Sequence, residues 1–382
     1  MKVPCQRRTT RCTDGTPDAD PEGSALQRPE MPFLRFLLSL GACLAGLALL
    51  VPVLAVWFPF WFVAATTRRA RRFFEPSILD WQHLVRHDAK VGWRLQPDVV
   101  ASCEAVDVFH VTTDGEGWSG TLRPADAKVI VFGDSNAFGY GVDHSKAYFR
   151  LCGQDVPVKA IGAPGYNLVQ EFVLMQDMAS QLRGKLVIWL ICNANDLYDN
   201  LSPQMDGYRT PFVRQTSAGE WEVVSSHVSP APWTCSAGRH AARRQPLAPT
   251  LHRSNYLSDR AYDACGWLIA QGRELCRAAG AELVVMTVPS PFALDPGKTR
   301  REDVDPDYPD QRIGAACESL GIPFVPLKRH LGAADYLDHD DHWNERGHVK
   351  VANVIVSLFR ARAVAHPPPM PDRLQLGTAP AR

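Results

Sequence analysis

Ser135 follows a short apolar run and is a candidate nucleophile. The run Val129–Phe132 ends at Gly133, and the serine stands between Asp134 and Asn136. This pattern is typical of a buried strand whose carboxyl end carries a reactive side chain, and small ligands bind at such ends in open parallel sheets. A serine hydroxyl is unreactive alone. It becomes a nucleophile when a histidine can take its proton and a carboxylate orients that histidine.

His342 is the candidate base, near the other end of the same domain. Asp340 lies two residues upstream, and its carboxylate could accept a hydrogen bond from the imidazole Nδ1 atom. Asp338 and Asp341 are alternative candidates for the orienting acid. His339 is a further candidate for this position, but its side chain carries no carboxylate. Taken alone, these residues could also be the acidic flank of the following helix, which the helix dipole favours.

Two further segments could supply hydrogen-bond donors to an oxyanion, which acyl transfer also requires. Gly165 follows the second predicted strand, where the absence of a side chain lets a backbone N–H approach a substrate closely. Asn195 follows the third predicted strand, and its side-chain amide could donate in the same way. An ordinary strand-to-helix turn and a polar loop are the alternative interpretations of these two segments.

Together these segments resemble the motifs of the SGNH hydrolase superfamily, also called GDSL-type esterases. The motif blocks are matched in chain order by Gly133–Asn136, Gly165, Asn193–Asp196, and Asp340 with His342. The chain departs from the family pattern at Asn136, where many members have leucine, and at Asn193, which replaces a glycine. The Asp-x-His spacing is that of a subset of the family.

The resemblance implies a three-layer α/β/α fold with a flavodoxin-like, five-stranded parallel sheet over roughly residues 128–362. It implies that Ser135 attacks an acyl carbonyl, that His342 transfers the proton and that Asp340 holds the imidazole tautomer. The oxyanion hole would consist of the N–H groups of Ser135 and Gly165 and the amide of Asn195. No metal or organic cofactor is implied.

The alternation of apolar strands with amphipathic helices predicts the same fold class independently. A parallel sheet covered on both faces produces such near-continuous apolar strands. The predicted strands are Lys128–Phe132, Val156–Ile161, Lys185–Ile191, Glu282–Val288 and Pro323–Pro326. The predicted helices are Leu168–Leu182, Asn255–Ala279, Asp307–Leu320 and Glu345–Arg360.

The sequence outside this domain divides into distinct segments. Residues 1–30 and 363–382 are predicted to be disordered, and residues 73–125 form a linking region that packs on the main domain at 126–362. Residues 197–253 interrupt the alternation of strands and helices and are predicted to be an insertion or lid.

Residues 33–66 are apolar enough to predict a membrane segment. The run is longer than the roughly 20 residues that a spanning helix needs, and Pro52 and Pro59 interrupt it. We expect one tilted or kinked helix, with a re-entrant hairpin as the alternative. Arginines at 68, 69, 71 and 72 favour a cytoplasmic C-terminal domain. The resemblance favours a catalytic domain on the outer side of a bacterial inner membrane, and we expect this orientation.

Composition excludes some classes of partner. The formal net charge is zero, so the chain lacks the broad basic surface of a nucleic-acid-binding protein. Ten cysteines occur without paired metal-ligand spacing, and they indicate no disulfide framework, although a single bridge such as Cys235–Cys265 is left open. The oligomeric state cannot be derived from the sequence.

The expected activity is that of a membrane-anchored serine esterase. The expected substrate is an acetyl or short-chain O-acyl ester, with O-acetylated carbohydrate or envelope glycan as the favoured class. An O-acyltransferase that uses the same acyl-enzyme is one alternative. A non-catalytic binding protein on a degenerate hydrolase fold is the other.

Overall fold

A computed structural model describes residues 83–365 apart from 106, 154–155, 194–195, 206–207, 226–250, 296–303 and 339. The predicted disordered segment 1–30, the predicted membrane segment 33–66 and nearly all of the predicted tail lie outside this part of the chain. The last helix extends to Ala365, three residues into that tail. Within the described residues, every helix is too short or too polar to cross a membrane.

Short strands and helices alternate along the chain. The strands are β1 (Val85–Asp88), β2 (Gly92–Leu95), β3 (Val100–Glu104), β4 (Val108–Thr112), β5 (Val129–Gly133), β6 (Val158–Gly162), β7 (Leu186–Cys192), β8 (Gln204–Met205), β9 (Tyr208–Arg209), β10 (Phe212–Gln215), β11 (Trp221–Val224), β12 (Glu282–Val288) and β13 (Phe324–Pro326). The α-helices are α1 (Ser135–Phe138), α2 (Tyr148–Leu151), α3 (Leu168–Asp177), α4 (Asp196–Asp199), α5 (Tyr256–Ala279), α6 (Pro291–Leu294), α7 (Tyr308–Leu320) and α8 (Glu345–Ala365).

Five parallel strands form the central sheet in the order β13-β12-β7-β5-β6. When these five strands are numbered 1 to 5 along the chain and the sheet is read from the β6 edge, the order is 2-1-3-4-5, which is that of flavodoxin-like folds. The order reverses between β5 and β7, so their carboxyl ends border the crevice in which such sheets bind ligands. The candidate nucleophile directly follows β5.

The sheet separates two hydrophobic layers. Ile130 and Phe132 of β5 belong to one apolar cluster, together with residues of α3, α5 and α7. Val129 and Val131, the alternate residues of the same strand, belong to the other cluster, together with residues of α2 and α8. Because successive strand side chains point to opposite faces, both faces of the sheet are buried. The predicted three-layer α/β/α arrangement is therefore observed.

The described part of the linking region forms two antiparallel hairpins, β1–β2 and β3–β4. Their apolar side chains join the first of the two core clusters. Trp93 in β2 donates from its indole Nε1 atom to the carbonyl of Pro164, at 3.2 Å. The hairpins thus contact the segment that follows β6.

A buried lysine in β6 ties the linking region to the sheet. The ammonium of Lys159 donates to the carbonyls of Trp118, Ser119 and Gly120 at 3.0–3.3 Å. It also lies 2.7 Å from a carboxylate oxygen of Asp114, and both side chains are almost fully buried. Burial lowers the pKa of Lys159, whereas the hydrogen bond and charge of Asp114 favour its charged form.

The insertion contains more regular structure than the sequence indicated. Its described residues form α4 and the hairpins β8–β9 and β10–β11. Cys265 is a buried thiol that forms no disulfide, and its possible partner Cys235 lies outside the described residues. The other core cysteines in the described part of the chain form no disulfide either: Cys103, Cys152, Cys192, Cys276 and Cys317.

Candidate active site

The turn after β5 sets Ser135 at the first position of α1. The carboxylate of Asp134 caps this short helix by accepting from the backbone N–H of Asn136, at 2.9 Å. A Cβ on Gly133 would lie 2.8 Å from that of Ala137, so the sharp turn requires a glycine. Asp134 thus bonds the backbone around Ser135.

Ser135, His342 and Asp340 form one hydrogen-bonded chain. The serine Oγ lies 2.7 Å from the imidazole Nε2, and the imidazole Nδ1 lies 2.5 Å from Oδ1 of Asp340. The aspartate also accepts from the backbone N–H of His342, at 3.1 Å. Because a carboxylate accepts and Nδ1 donates, the neutral ring presents a lone pair on Nε2 to the serine hydroxyl.

Asp340 is favoured over Asp341 as the orienting acid. The carboxylate of Asp341 lies 3.6 Å from the same Nδ1 atom, and its side chain is 52% exposed, against 6% for Asp340. Asp338 is exposed, and His339 is not among the described residues. The short contact and low exposure make Asp340 the stronger electrostatic partner of the imidazole.

Within the described part of the chain, Asp340, Asp341 and His342 are also the one His, Cys, Asp and Glu group close enough to hold a metal ion. Their ligand atoms lie within 4.8 Å of one another. A metal there would bind the Nδ1 atom that now donates to Asp340. The observed hydrogen bonds fit a catalytic histidine without such an ion.

The acids around His342 stabilise its charged form. Burial lowers the pKa of the imidazole, but the charge and hydrogen bond of Asp340, with the charges of Asp341 and Asp134, outweigh burial and raise this pKa to about 9. The site therefore stabilises an imidazolium, which is the form that His342 takes after accepting a proton from Ser135.

Two further acids, Glu171 and Asp196, are fully buried and interact electrostatically with Asp134. Glu171 accepts from the indole Nε1 of Trp189 at 2.6 Å, and Asp196 accepts from the backbone N–H of Cys192 at 2.7 Å. Burial raises the pKa of both carboxyl groups well above the usual range, as do neighbouring acids. Asp196 thus bonds the backbone of its own loop, and the sequence did not single out Glu171.

Gly165 lies in a turn with a left-handed backbone conformation, which suits a residue whose backbone N–H is to face a substrate. Its φ is +81°, a conformation that glycine adopts readily and other residues rarely do. A Cβ here would lie 2.9 Å from Cε of Met205 and 3.4 Å from the ring of Trp93. The predicted third donor, Asn195, falls in one of the gaps of the described chain.

Asn193 anchors the loop after β7. Its backbone N–H donates to the carbonyl of Val288 at 3.0 Å, and its side-chain amide donates to Asp310 at 3.1 Å. Thr287 donates to the same carboxylate oxygen at 2.7 Å. Asn193 thus joins the end of β7 to β12 and α7.

Two aromatic residues near His342, Trp343 and Tyr140, make different contacts. Trp343 is 1% exposed and packs against Tyr148 and His348, so it is a packing residue. Tyr140 places its ring 4.2 Å from the ring of His342. The sequence interpretation missed this contact, although the Gly-Tyr-Gly triplet after α1 was a visible signal of a specially positioned side chain.

No family model and no curated protein matches the chain. Solved structures that are similar to it include GDSL-type proteins and acetylesterases. A lipolytic G-D-S-L family protein of Veillonella parvula is 14% identical and has a TM-score of 0.36, with 61% of this chain and 97% of that chain covered. A carbohydrate acetylesterase of Sinorhizobium meliloti is 12% identical, at TM-score 0.36 and coverages of 62% and 99%.

An acetyl xylan esterase is 13% identical and has a TM-score of 0.37, with 60% of this chain and 98% of that chain covered. All three TM-scores lie below 0.5 and all three identities below 25%. The case for an activity therefore rests on the motifs of this chain and on the geometry that they form around Ser135.

Proposed function

We propose that this protein is a serine esterase that hydrolyses O-acyl esters through an acyl-enzyme on Ser135. The observation that carries the proposal is the unbroken hydrogen-bonded chain from Ser135 through His342 to Asp340. Serine, imidazole and carboxylate in this arrangement have complementary roles as nucleophile, general base and orienting acid. Their place at the reversal of strand order is where open sheets bind small ligands.

The reaction proceeds in two steps. Ser135 Oγ attacks the acyl carbonyl, and its proton moves to Nε2 of His342 while Asp340 stabilises the imidazolium. The tetrahedral oxyanion accepts hydrogen bonds from the N–H groups of Ser135 and Gly165 and from the amide of Asn195. The ester C–O bond then breaks, and His342 returns the proton to the leaving alcohol. Water, activated by His342, attacks the acyl-serine and releases the acid.

An acetyl or other short acyl group is the proposed substrate. Ser135 is only 7% exposed, which restricts the approach of bulky esters. The side chains of Met205 and Trp93 lie beside Gly165 and fill the space that a Cβ atom on this glycine would need. O-acetylated carbohydrate is the proposed natural class, in keeping with the motif resemblance.

The full chain should release acid from a chromogenic acetyl ester faster than from the octanoyl ester of the same alcohol. Acid release is measured by titration and alcohol release by absorbance, first with these esters and then with an acetylated oligosaccharide. Failure to hydrolyse any short ester would overturn the esterase proposal. Appearance of the acetyl group on an added sugar acceptor, without acid release, would replace hydrolysis by acyl transfer.

We also propose that residues 33–66 anchor the protein in a bacterial inner membrane, with the catalytic domain outside the cytoplasm. The predominantly apolar composition of this segment supports anchoring. Alkaline phosphatase, which folds actively only outside the cytoplasm, should be active when fused after Arg382. An inactive phosphatase together with an active cytoplasmic reporter at the same position would reverse the proposed orientation.

A further inference from the structure

We propose that Tyr140 is a positioning residue for His342, and that Phe109 in the linking region holds Tyr140 in place. The inference rests on the proposed function and extends it by making the linking region part of the catalytic apparatus. It concerns a residue outside the four motif blocks and a segment outside the central sheet.

The first observation is the contact between the two rings. The Tyr140 and His342 centroids lie 4.2 Å apart, and the ring planes make an angle of 32°. A ring this close to one face of the imidazole limits rotation about the histidine side-chain bonds. The electron-rich face of an aromatic ring also attracts a cation, so the contact favours the imidazolium form.

The second observation is that the backbone fixes Tyr140 relative to the nucleophile. Its N–H donates to the carbonyl of Ser135 at 3.0 Å. Gly139 and Gly141 flank it with φ values of +88° and +81°. A Cβ on Gly141 would lie 2.4 Å from Cδ1 of Leu337, so the backbone approaches the segment before His342 closely. Tyr140 therefore connects the nucleophile turn with the histidine segment.

The third observation is that β4 contacts the segment around Tyr140 at several points. The Phe109 ring lies 5.6 Å from the Tyr140 ring, at 54°. The backbone N–H of His110 donates to Asp143 at 2.7 Å, and that of Thr112 donates to Nδ1 of His144 at 3.1 Å. The linking region thus sets the position of the segment that carries Tyr140.

A change at Tyr140 leaves the charged surroundings of the base intact. The titratable groups that act on His342 are Asp340 and Asp341 from its own segment and Asp134 from the nucleophile turn, and the buried His348 of α8 is electrostatically linked to it. All remain in a Tyr140 variant. An altered pKa of His342 would therefore report the loss of the ring.

The test compares Tyr140→Leu, Tyr140→Phe and Phe109→Ala with the wild type, all as the full chain. The pKa of His342 is measured from its imidazole NMR signal, assigned by the loss of that signal in His342→Gln. We expect Tyr140→Leu to lower this pKa by about 0.5 to 1 pH unit. We also expect kcat to fall about ten-fold or more, with KM changed less than about two-fold.

Tyr140→Phe should leave the pKa of His342 close to that of the wild type and kcat within about three-fold of it, because the variant keeps the ring. Phe109→Ala should act in the same direction as Tyr140→Leu. Tyr262→Leu is the matched control, since Tyr262 is a buried tyrosine that packs against Tyr308 in α7. It should lower stability without changing the pKa of His342.

An unchanged pKa and kcat in folded Tyr140→Leu protein would overturn the inference, as would an equal pKa change in Tyr262→Leu. The NMR titration needs no turnover. A wild-type protein without esterase activity would therefore refute the proposed function, while the titration would still decide whether Tyr140 acts on His342.

Discussion

Replacing Ser135 by alanine should abolish ester hydrolysis, with kcat falling about 10⁶-fold, the loss found when the serine of a hydrolase triad is removed. The substitution removes the oxygen that forms the acyl bond and that lies 2.7 Å from His342. The side chain is small and its helix is capped by Asp134, so the fold should persist. Initial rates with the acetyl ester and thermal unfolding of both proteins measure the two effects.

A matched control exists in the same chain. Ser290 also lies beyond a sheet strand, is buried, and places its Oγ 3.4 Å from Nε2 of His252. The other ring nitrogen of His252 contacts the carbonyl of Asp305 at 3.2 Å, where a triad would have a carboxylate. A fluorophosphonate probe should label the wild type and Ser290→Ala equally. Labelling that persists in Ser135→Ala would show that another residue is the nucleophile.

Asp340→Asn should reduce kcat about 10⁴-fold at neutral pH. The amide cannot favour the tautomer that donates from Nδ1, so the lone pair needed at Nε2 is lost. Asp341→Asn is the matched control, because it removes a carboxylate that is exposed and 3.6 Å away. It should change kcat no more than a few-fold. A larger loss in Asp341→Asn than in Asp340→Asn would make Asp341 the orienting acid.

The pH dependence of kcat/KM should also differ between the wild type and Asp340→Asn. The neighbouring acids raise the pKa of His342 to about 9, so the neutral imidazole that accepts the serine proton becomes more abundant as the pH rises towards that value. The wild-type kcat/KM should therefore rise with pH until about 9. Without the charge of Asp340, burial lowers the pKa, and the rising limb should move to lower pH. An unmoved limb would mean that another group controls the profile.

The sequence predicted the sheet well because buried parallel strands are almost entirely apolar. Glu282–Val288 has the predicted bounds, and β5, β7 and β13 begin one residue later than predicted. Helix starts were close because capping residues mark them, as Asn255 does for α5. The last helix was predicted to stop at Arg360, but it continues to Ala365 through an alanine-rich turn that contains no stop signal before the prolines.

The geometry around the base could be predicted only in part. The motif spacing selected Asp340 and His342, yet the choice between two adjacent aspartates depended on a turn that the sequence does not define. The contact of Tyr140 with His342 joins residues far apart in sequence, and no local pattern encodes such a pairing. The small hairpins of the insertion were missed because two-residue strands such as β8 are too short to show a period.

The buried ion pair between Lys159 and Asp114 means that the sheet and the linking region must be inherited together. A homologue or chimaera that began at β5 would keep a lysine in the second sheet strand while losing Asp114 and the three carbonyls that hold its ammonium. An uncompensated buried charge of this kind costs about 3–5 kcal/mol, a large share of the stability of an ordinary domain. Exchange of the linking region between related proteins should therefore succeed only when Lys159 is exchanged with it.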